Sequence, residues 1–360
     1  MNIYDIWFSY VKLPNEMKNE MLEQFNSTEE LWNYAKRIGS FKSNTVKNAL
    51  ISAMDLKKLN MAEKIILENG IKVISLTDEY YPDKLRFFPD SPYLLYYYGD
   101  IKKINKLKAV AIVGSRNCTI YGSDAARNIA SVLSQYSVNI ISGMAKGIDS
   151  AAHWAAVKNE GFTTAIMGCG LDKIYPLKNK SLFEKIKDLG CIISEFPPGT
   201  PPFAYNFPIR NRIISGLSDL VIIVEAEEKS GSLITASRAA DQGKSVMAVP
   251  GSIFSKNSKG TNELIKDGAD IFIDSEQLLD TLKIVSIEKK ENDKSNNEYN
   301  DAKRDTIYNL LTDTPTHIDD IIRITNIDIT ILYELLLEMQ LEDTIRCIAG
   351  NYYVRINNKI

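Results

Sequence analysis

Histidine and cysteine are scarce in this chain of 360 residues: two histidines, His153 and His317, and four cysteines, Cys118, Cys169, Cys191 and Cys347, with no CxxC pair. So thin a supply speaks against a zinc cluster or a disulfide framework, and no metal site is expected. Long apolar runs are also missing. No 18-residue stretch is apolar enough to span a bilayer, and Asp5 stands where a secretion signal would be basic, so the expectation is a cytoplasmic protein with no membrane contact. Nor is positive charge in excess: 43 Lys and Arg against 46 Asp and Glu give a net charge of -3, which excludes coating nucleic acid through bulk charge alone.

What is present is a change of pattern along the chain. Residues 1–70 read as a small helical domain, with apolar-periodic stretches at Met17–Phe25, Leu31–Ile38 and Val46–Leu56. Residues 71–283 alternate short β-branched runs with helical stretches. The runs are Ala109–Val113, Val138–Ile141, Thr163–Met167, Cys191–Ser194, Leu220–Val224, Val246–Val249 and Asp270–Ile273, preceded by Ile71–Leu76 and the aromatic run Tyr96–Tyr98. Continuously apolar strands, each followed by a helix, predict an α/β fold: an extended Rossmann-like, doubly wound parallel sheet. Residues 284–302 read as a polar linker. Residues 303–360, with six basic against nine acidic residues, read as three helices and a hairpin, a winged-helix domain.

Ligands of such a sheet sit beyond the carboxyl ends of its strands. The loops there are Gly114-Ser115-Arg116, Ser142-Gly143-Met144-Ala145-Lys146-Gly147, Gly168-Cys169-Gly170 running to Lys178 and Lys180, Phe207–Arg212, and Lys229-Ser230-Gly231-Ser232. Glycines admit a ligand to backbone N–H groups, and helix N-termini attract anions. Hydroxyls at Ser115, Ser142, Ser230, Ser232 and Thr235 add donors. Arg116, Lys146, Lys178, Lys180, Arg210, Arg212 and Lys229 are expected to project from one rim. Tyr175, Phe196, Phe203, Tyr205 and Phe207 lie in the same loops, as a site that stacks bases requires.

No Gly-x-Gly-x-x-Gly or Walker motif is present, so no cofactor is expected; the pattern suits phosphates spread along a chain. Catalytic candidates are few. His153 lies four positions after Asp149, Glu225 ends a strand without a paired acid, and Cys169 stands between glycines without an evident activating base. A nucleotide or nucleotide-sugar hydrolase on the same edge is the alternative reading, and an interaction scaffold using the acidic tail a third.

Taken in order, Ile112–Arg116, Ser142–His153, Gly168–Asp172 with Tyr175-Pro176, Ser194-Glu195, Phe207–Gly216, Val224–Ala226, Lys229–Ala236 and Val249–Gly251 closely resemble the DNA processing protein A family, DprA or Smf, over residues 105–273. The resemblance implies a non-enzymatic protein that binds and protects single-stranded DNA and helps load the RecA recombinase during natural transformation or recombination. It also implies a homodimer built through the Rossmann domain. By motif it carries Arg116, Ser142, Gly143, Lys146, Gly170, Lys178 or Lys180, Arg210, Asn211 and Arg212 into the DNA groove. Two departures stand out. Similar proteins often open with a helix-hairpin-helix-like domain carrying Leu-Pro-Gly-x-Gly, whereas here Leu13-Pro14 precede Asn15 and Glu16. The winged helix is acidic around Asp319, Asp320 and Asp328, which implies a protein-facing or structural role.

Overall fold

The computed structural model describes residues 2–37, 43–284 and 298–356. Helices α1 (Ile3–Tyr10), α2 (Asn15–Leu22), α3 (Thr28–Arg37), α4 (Asn44–Ser52) and α5 (Leu56–Glu68) lead the chain. Strand β1 (Lys72–Ser75), α6 (Asp83–Arg86) and β2 (Leu94–Gly99) follow. Strict alternation then sets in: β3 (Ala109–Gly114), α7 (Ile120–Gln135), β4 (Asn139–Ser142), α8 (Ile148–Lys158), β5 (Thr163–Ile166), α9 (Lys180–Leu189) and β6 (Cys191–Ser194). It continues through α10 (Asn206–Leu217), β7 (Leu220–Val224), α11 (Gly231–Asp241), β8 (Ser245–Ala248), α12 (Lys259–Lys266) and β9 (Asp270–Ile271).

These strands form one sheet in the order β1-β2-β6-β5-β4-β3-β7-β8-β9. From β6 to β9 every pairing is parallel; β2 joins β6, and β1 joins β2, antiparallel. Strand order reverses beside β3, because β4, β5 and β6 extend one way and β7, β8 and β9 the other. A crevice opens at such a switch point. Helices on both faces leave the central strands no contact with water, which is why they read as unbroken Val and Ile runs.

The amino-terminal helices are continuous with this sheet. Trp7 and Trp32 meet edge to face at 5.0 Å, the Trp7 indole N–H donates to the Leu50 carbonyl at 3.1 Å, and the cluster extends to Tyr96 and Ile192 on β2 and β6. A Ser9–Tyr96 hydroxyl contact of 2.7 Å adds a polar tie. Residues Met1–Ile273 form one compact unit, and Asp274–Ile360 form a second. Helices α1 and α5 lie outside the three helical stretches expected from periodicity. Three consecutive buried residues, Ile6, Trp7 and Phe8, obscure the helical period of α1, although Asn2 and Asp5 close a reciprocal capping box at its start.

The second unit comprises α13 (Ser275–Thr281), α14 (Glu298–Leu310), β10 (Thr316–His317), α15 (Ile318–Thr325), α16 (Ile329–Leu341), β11 (Ile345–Ile348) and β12 (Tyr352–Arg355). Its sheet runs β10-β12-β11, antiparallel throughout, and the hairpin turns at Gly350 and Asn351, both with positive φ. This is the winged-helix arrangement expected from sequence. Its core gathers Ile307, Leu311, Ile321, Leu332, Leu336 and Ile345. The outward face of α16 exposes Tyr333, Leu337 and Leu341 beside Glu334 and Glu338, and α16 contains no lysine or arginine. Most of the expected linker, residues 285–297, lies outside the described residues. Among the described residues no helix is long and apolar enough to cross a membrane.

Candidate nucleic-acid interface

A cleft of about 560 Å³ opens at the switch point, bordered by the loop after β3, the loop after β4, the start of α10 and the N-terminus of α11. Its charged centre is built on Arg210. That guanidinium is almost fully enclosed; it donates to the Gly143 carbonyl at 2.9 Å, to the Ile166 carbonyl, and through Nε to Asn211 Oδ1 at 3.3 Å. Burial pulls its pKa down to about 10, partly offset by Asp149 and reinforced by Arg116. Burial pushes the Asp149 carboxyl upward, against Arg210 and two backbone donors, Gly143 N at 3.1 Å and Ala145 N at 3.2 Å. A Cβ at 143 would stand 2.5 Å from the Arg210 guanidinium and 2.8 Å from Asp149 Oδ2, so any other residue there must displace this pair. At Gly147, with φ +79°, a Cβ would stand 2.3 Å from the Ser115 carbonyl oxygen.

Phe207 supplies the aromatic floor. Its ring centroid lies 5.4 Å from the Arg116 guanidinium and 5.8 Å from that of Arg210, and 5.7 Å from the Tyr175 ring. Arg116 and Tyr175 are exposed, so a planar cation and a ring face solvent over one aromatic base. Asn211 ties this floor to α11 by donating to the Gly231 carbonyl at 3.2 Å, and Ser230 caps α11 by accepting from Ser232 N at 3.3 Å. Exposed Lys229 precedes that cap. Glu227 also borders the cleft, an acid that the sequence reading passed over.

The expected row of seven cations resolves into two groups. Arg116, Lys146, Lys178, Lys180 and Lys229 are exposed. Arg210 and Arg212 are not. Two residues apart on a helix, they point about 200° from each other. Arg210 enters the sheet edge, whereas Arg212 crosses to the opposite side and pairs with Glu195 and, at 3.5 Å, with Asp90. Arg212 therefore borders the adjoining cavity under α1 and α2, not the cleft itself. The third loop is fastened to the second by Asn179, whose Nδ2 donates to the Met144 carbonyl at 2.8 Å, which sets Lys178 and Lys180 beside the loop bearing Lys146. No feature of the sequence singled out Asn179.

Among the expected hydroxyl donors, Ser142 is spent within the sheet, donating to the Ile112 carbonyl at 2.7 Å, and Ser115 accepts from Asn117 N at 3.1 Å at the cleft wall. Gly170 is buried away from the cleft; its N–H donates to the Thr200 carbonyl at 3.0 Å. The catalytic candidates are tied up elsewhere. His153 bonds Thr163 Oγ1 at 2.7 Å and not Asp149, and burial drives its pKa down to about 3. Burial raises the Cys169 thiol to about 11. The Glu225 carboxylate accepts from Thr119 N at 2.8 Å at the start of α7. Among the described residues no cluster of His, Cys, Asp and Glu could hold a metal ion.

Residues 72–283 match the family model of DNA recombination-mediator protein A, and residues 291–351 match the DprA winged helix domain. The chain belongs to the DNA recombination-mediator protein A family. DNA processing protein DprA of Streptococcus pneumoniae is 43% identical over 205 residues, covering 57% of this chain and 72% of that one. Protein Smf of Escherichia coli is 41% identical over 211 residues, 58% of this chain and 56% of that one. The X-ray structure of the Streptococcus pneumoniae protein superposes with a TM-score of 0.68 at 35% identity, over 80% of this chain and 99% of that chain. DNA processing protein A from Helicobacter pylori, described for its single-stranded DNA binding mode, superposes with a TM-score of 0.55 at 32% identity, over 59% and 95%. The family is thus one of DNA-processing recombination mediators.

Proposed function

We propose that this chain binds and protects single-stranded DNA in the switch-point cleft and helps load the RecA recombinase during natural transformation or recombination in the cytoplasm. The observation that carries the reading is the Phe207 floor with Arg116 and Tyr175 exposed over it: a cation for phosphate and rings for bases. Arg116, Lys146, Lys178, Lys180 and Lys229 contact phosphate. Ser115, Gly143, Arg210, Asn211, Ser230, Gly231 and Ser232 shape the cleft, while Ser142 and Gly170 hold its loops from behind. Arg212 acts structurally. The Helicobacter pylori relative supports the ligand class, and the mediator role of the family supports the RecA step.

A homodimer through the Rossmann unit is part of the same reading, supported by the exposed apolar residues Ile253, Phe254 and Ile273. The hydrolase reading draws on groups that the fold engages elsewhere. Titrating a labelled single strand against a duplex of equal length at two salt concentrations tests the proposal. Five phosphate contacts predict a log–log salt slope of about -3.5 for the single strand. Equal affinity for the duplex would overturn it.

A further inference from the structure

Two more depressions adjoin the cleft, and the three share walls. Pro208 borders both the cleft and the cavity of about 750 Å³ under α1 and α2. Tyr205, Tyr10 and Lys12 border that cavity and a third depression of about 380 Å³, whose far side is formed by Lys58 of α5. Through these shared walls the three depressions adjoin in a row, a trough from the Rossmann edge to the amino-terminal helices.

Its walls carry what an unpaired polynucleotide requires. Phe203 and Tyr205 stack with centroids 5.3 Å and planes 13° apart, and both remain exposed, Tyr205 by 64%. Rings left in water are poor core material and good platforms for bases. Beyond them Lys12 and Lys58 are exposed; the Lys58 ammonium stands 4.2 Å from the Tyr10 ring centroid. The Tyr10 hydroxyl donates to the Pro198 carbonyl at 2.7 Å, which pins the end of α1 to the loop that bears the stacked rings. The acid of that loop, Glu195, pairs with Arg212 and accepts from Asn15 Nδ2 at 3.1 Å; of the other acids bordering the cavity, Asp90 also meets Arg212, at 3.5 Å, and Glu16 is exposed.

We propose that this trough is a second stretch of the DNA site: a single strand held in the cleft passes over Pro208, stacks a base on the Tyr205–Phe203 pair and lays its phosphates against Lys12 and Lys58. The proposal rests on the single-stranded DNA reading above and extends it to the amino-terminal helices. These contacts do not use the Leu-Pro-Gly-x-Gly motif that the chain lacks.

The test compares oligo-dT of about 6 and about 16 nucleotides, lengths within the range of single-strand sites. The full chain gains affinity with length. In the triple variant Lys12→Ala, Lys58→Ala, Tyr205→Ala that gain falls at least tenfold, the salt slope on the longer strand weakens by about 1.4, and binding of the short strand changes less than twofold. Lys12→Arg with Lys58→Arg keeps the gain. All three side chains are exposed, so the unfolding midpoint stays in place; photocrosslinking of an iodouracil-bearing strand to Tyr205 checks the path on the unaltered protein. An unchanged length gain, with Arg116→Ala still weakening both strands, overturns the extension alone. Absence of binding to either strand by the unaltered chain overturns the underlying reading as well.

Discussion

Removing the Arg116 side chain separates the cleft from the rest of the rim. Arg116 is exposed, has no carboxylate partner among the described residues and rests 5.4 Å from the Phe207 centroid. A single phosphate contact contributes about 0.7 to the salt slope, or roughly 1 kcal/mol at 0.1 M salt. Loss of a cation from the face of Phe207 adds about 0.5 kcal/mol through the floor it helps to order. Arg116→Ala is therefore expected to weaken oligo-dT binding by about 1–2 kcal/mol, roughly 5- to 30-fold. The unaltered chain should lose about 130-fold in affinity between 0.05 and 0.2 M salt, and the variant about 50-fold, as the slope passes from about -3.5 to about -2.8. Fluorescence anisotropy of an end-labelled strand reads both numbers. Thermal unfolding serves as the control and should not move. An identical slope with affinity within twofold would refute the placement of DNA over Phe207.

Further expectations concern the scaffold. Gly143→Ala forces a Cβ to within 2.5 Å of the enclosed Arg210 guanidinium and should cost about 1–3 kcal/mol, seen as a lower unfolding midpoint. Arg212→Met leaves Glu195 enclosed without its main partner and should destabilise by about 3 kcal/mol, while the folded variant keeps its affinity for oligo-dT of about 6 nucleotides, held in the cleft; a selective loss of that affinity at unchanged stability would return Arg212 to the cleft. His153 has a folded pKa of about 3 against an ordinary 6.5, so the unfolded chain takes up its proton first as pH falls. Stability of the larger unit should therefore be complete above pH 6.5 and decline below it, by about 2 kcal/mol at pH 5. His153→Gln, measured by urea unfolding at pH 7 and pH 5, should remove that decline.

The alternation of strand and helix from Ala109 onward was legible because a parallel strand covered on both faces must be apolar throughout, and Leu220–Val224 is buried at every position. The loop residues were legible for a related reason: glycine followed by a hydroxyl and a cation after a strand has few uses other than a tight turn at a ligand edge. Helix α1 was not, since its apolar residues are consecutive and only its capping box marks it. The Tyr96–Tyr98 run was legible as a strand, but not as the antiparallel link that joins β1 to β6, because pairing partners far apart in sequence leave no local trace.

The order of motifs along the chain determined the α/β class, the edge that carries the chemistry and the family. Which cations face solvent was decided only by tertiary structure. Arg210 and Arg212 stand in one motif, yet the turn of α10 sends one under the cleft to brace the carbonyls of Gly143 and Ile166 and the other to Glu195 on the far side. Charge is a property of the residue, but its availability depends on which packed surfaces the helix separates, and that requires every neighbour to be in place.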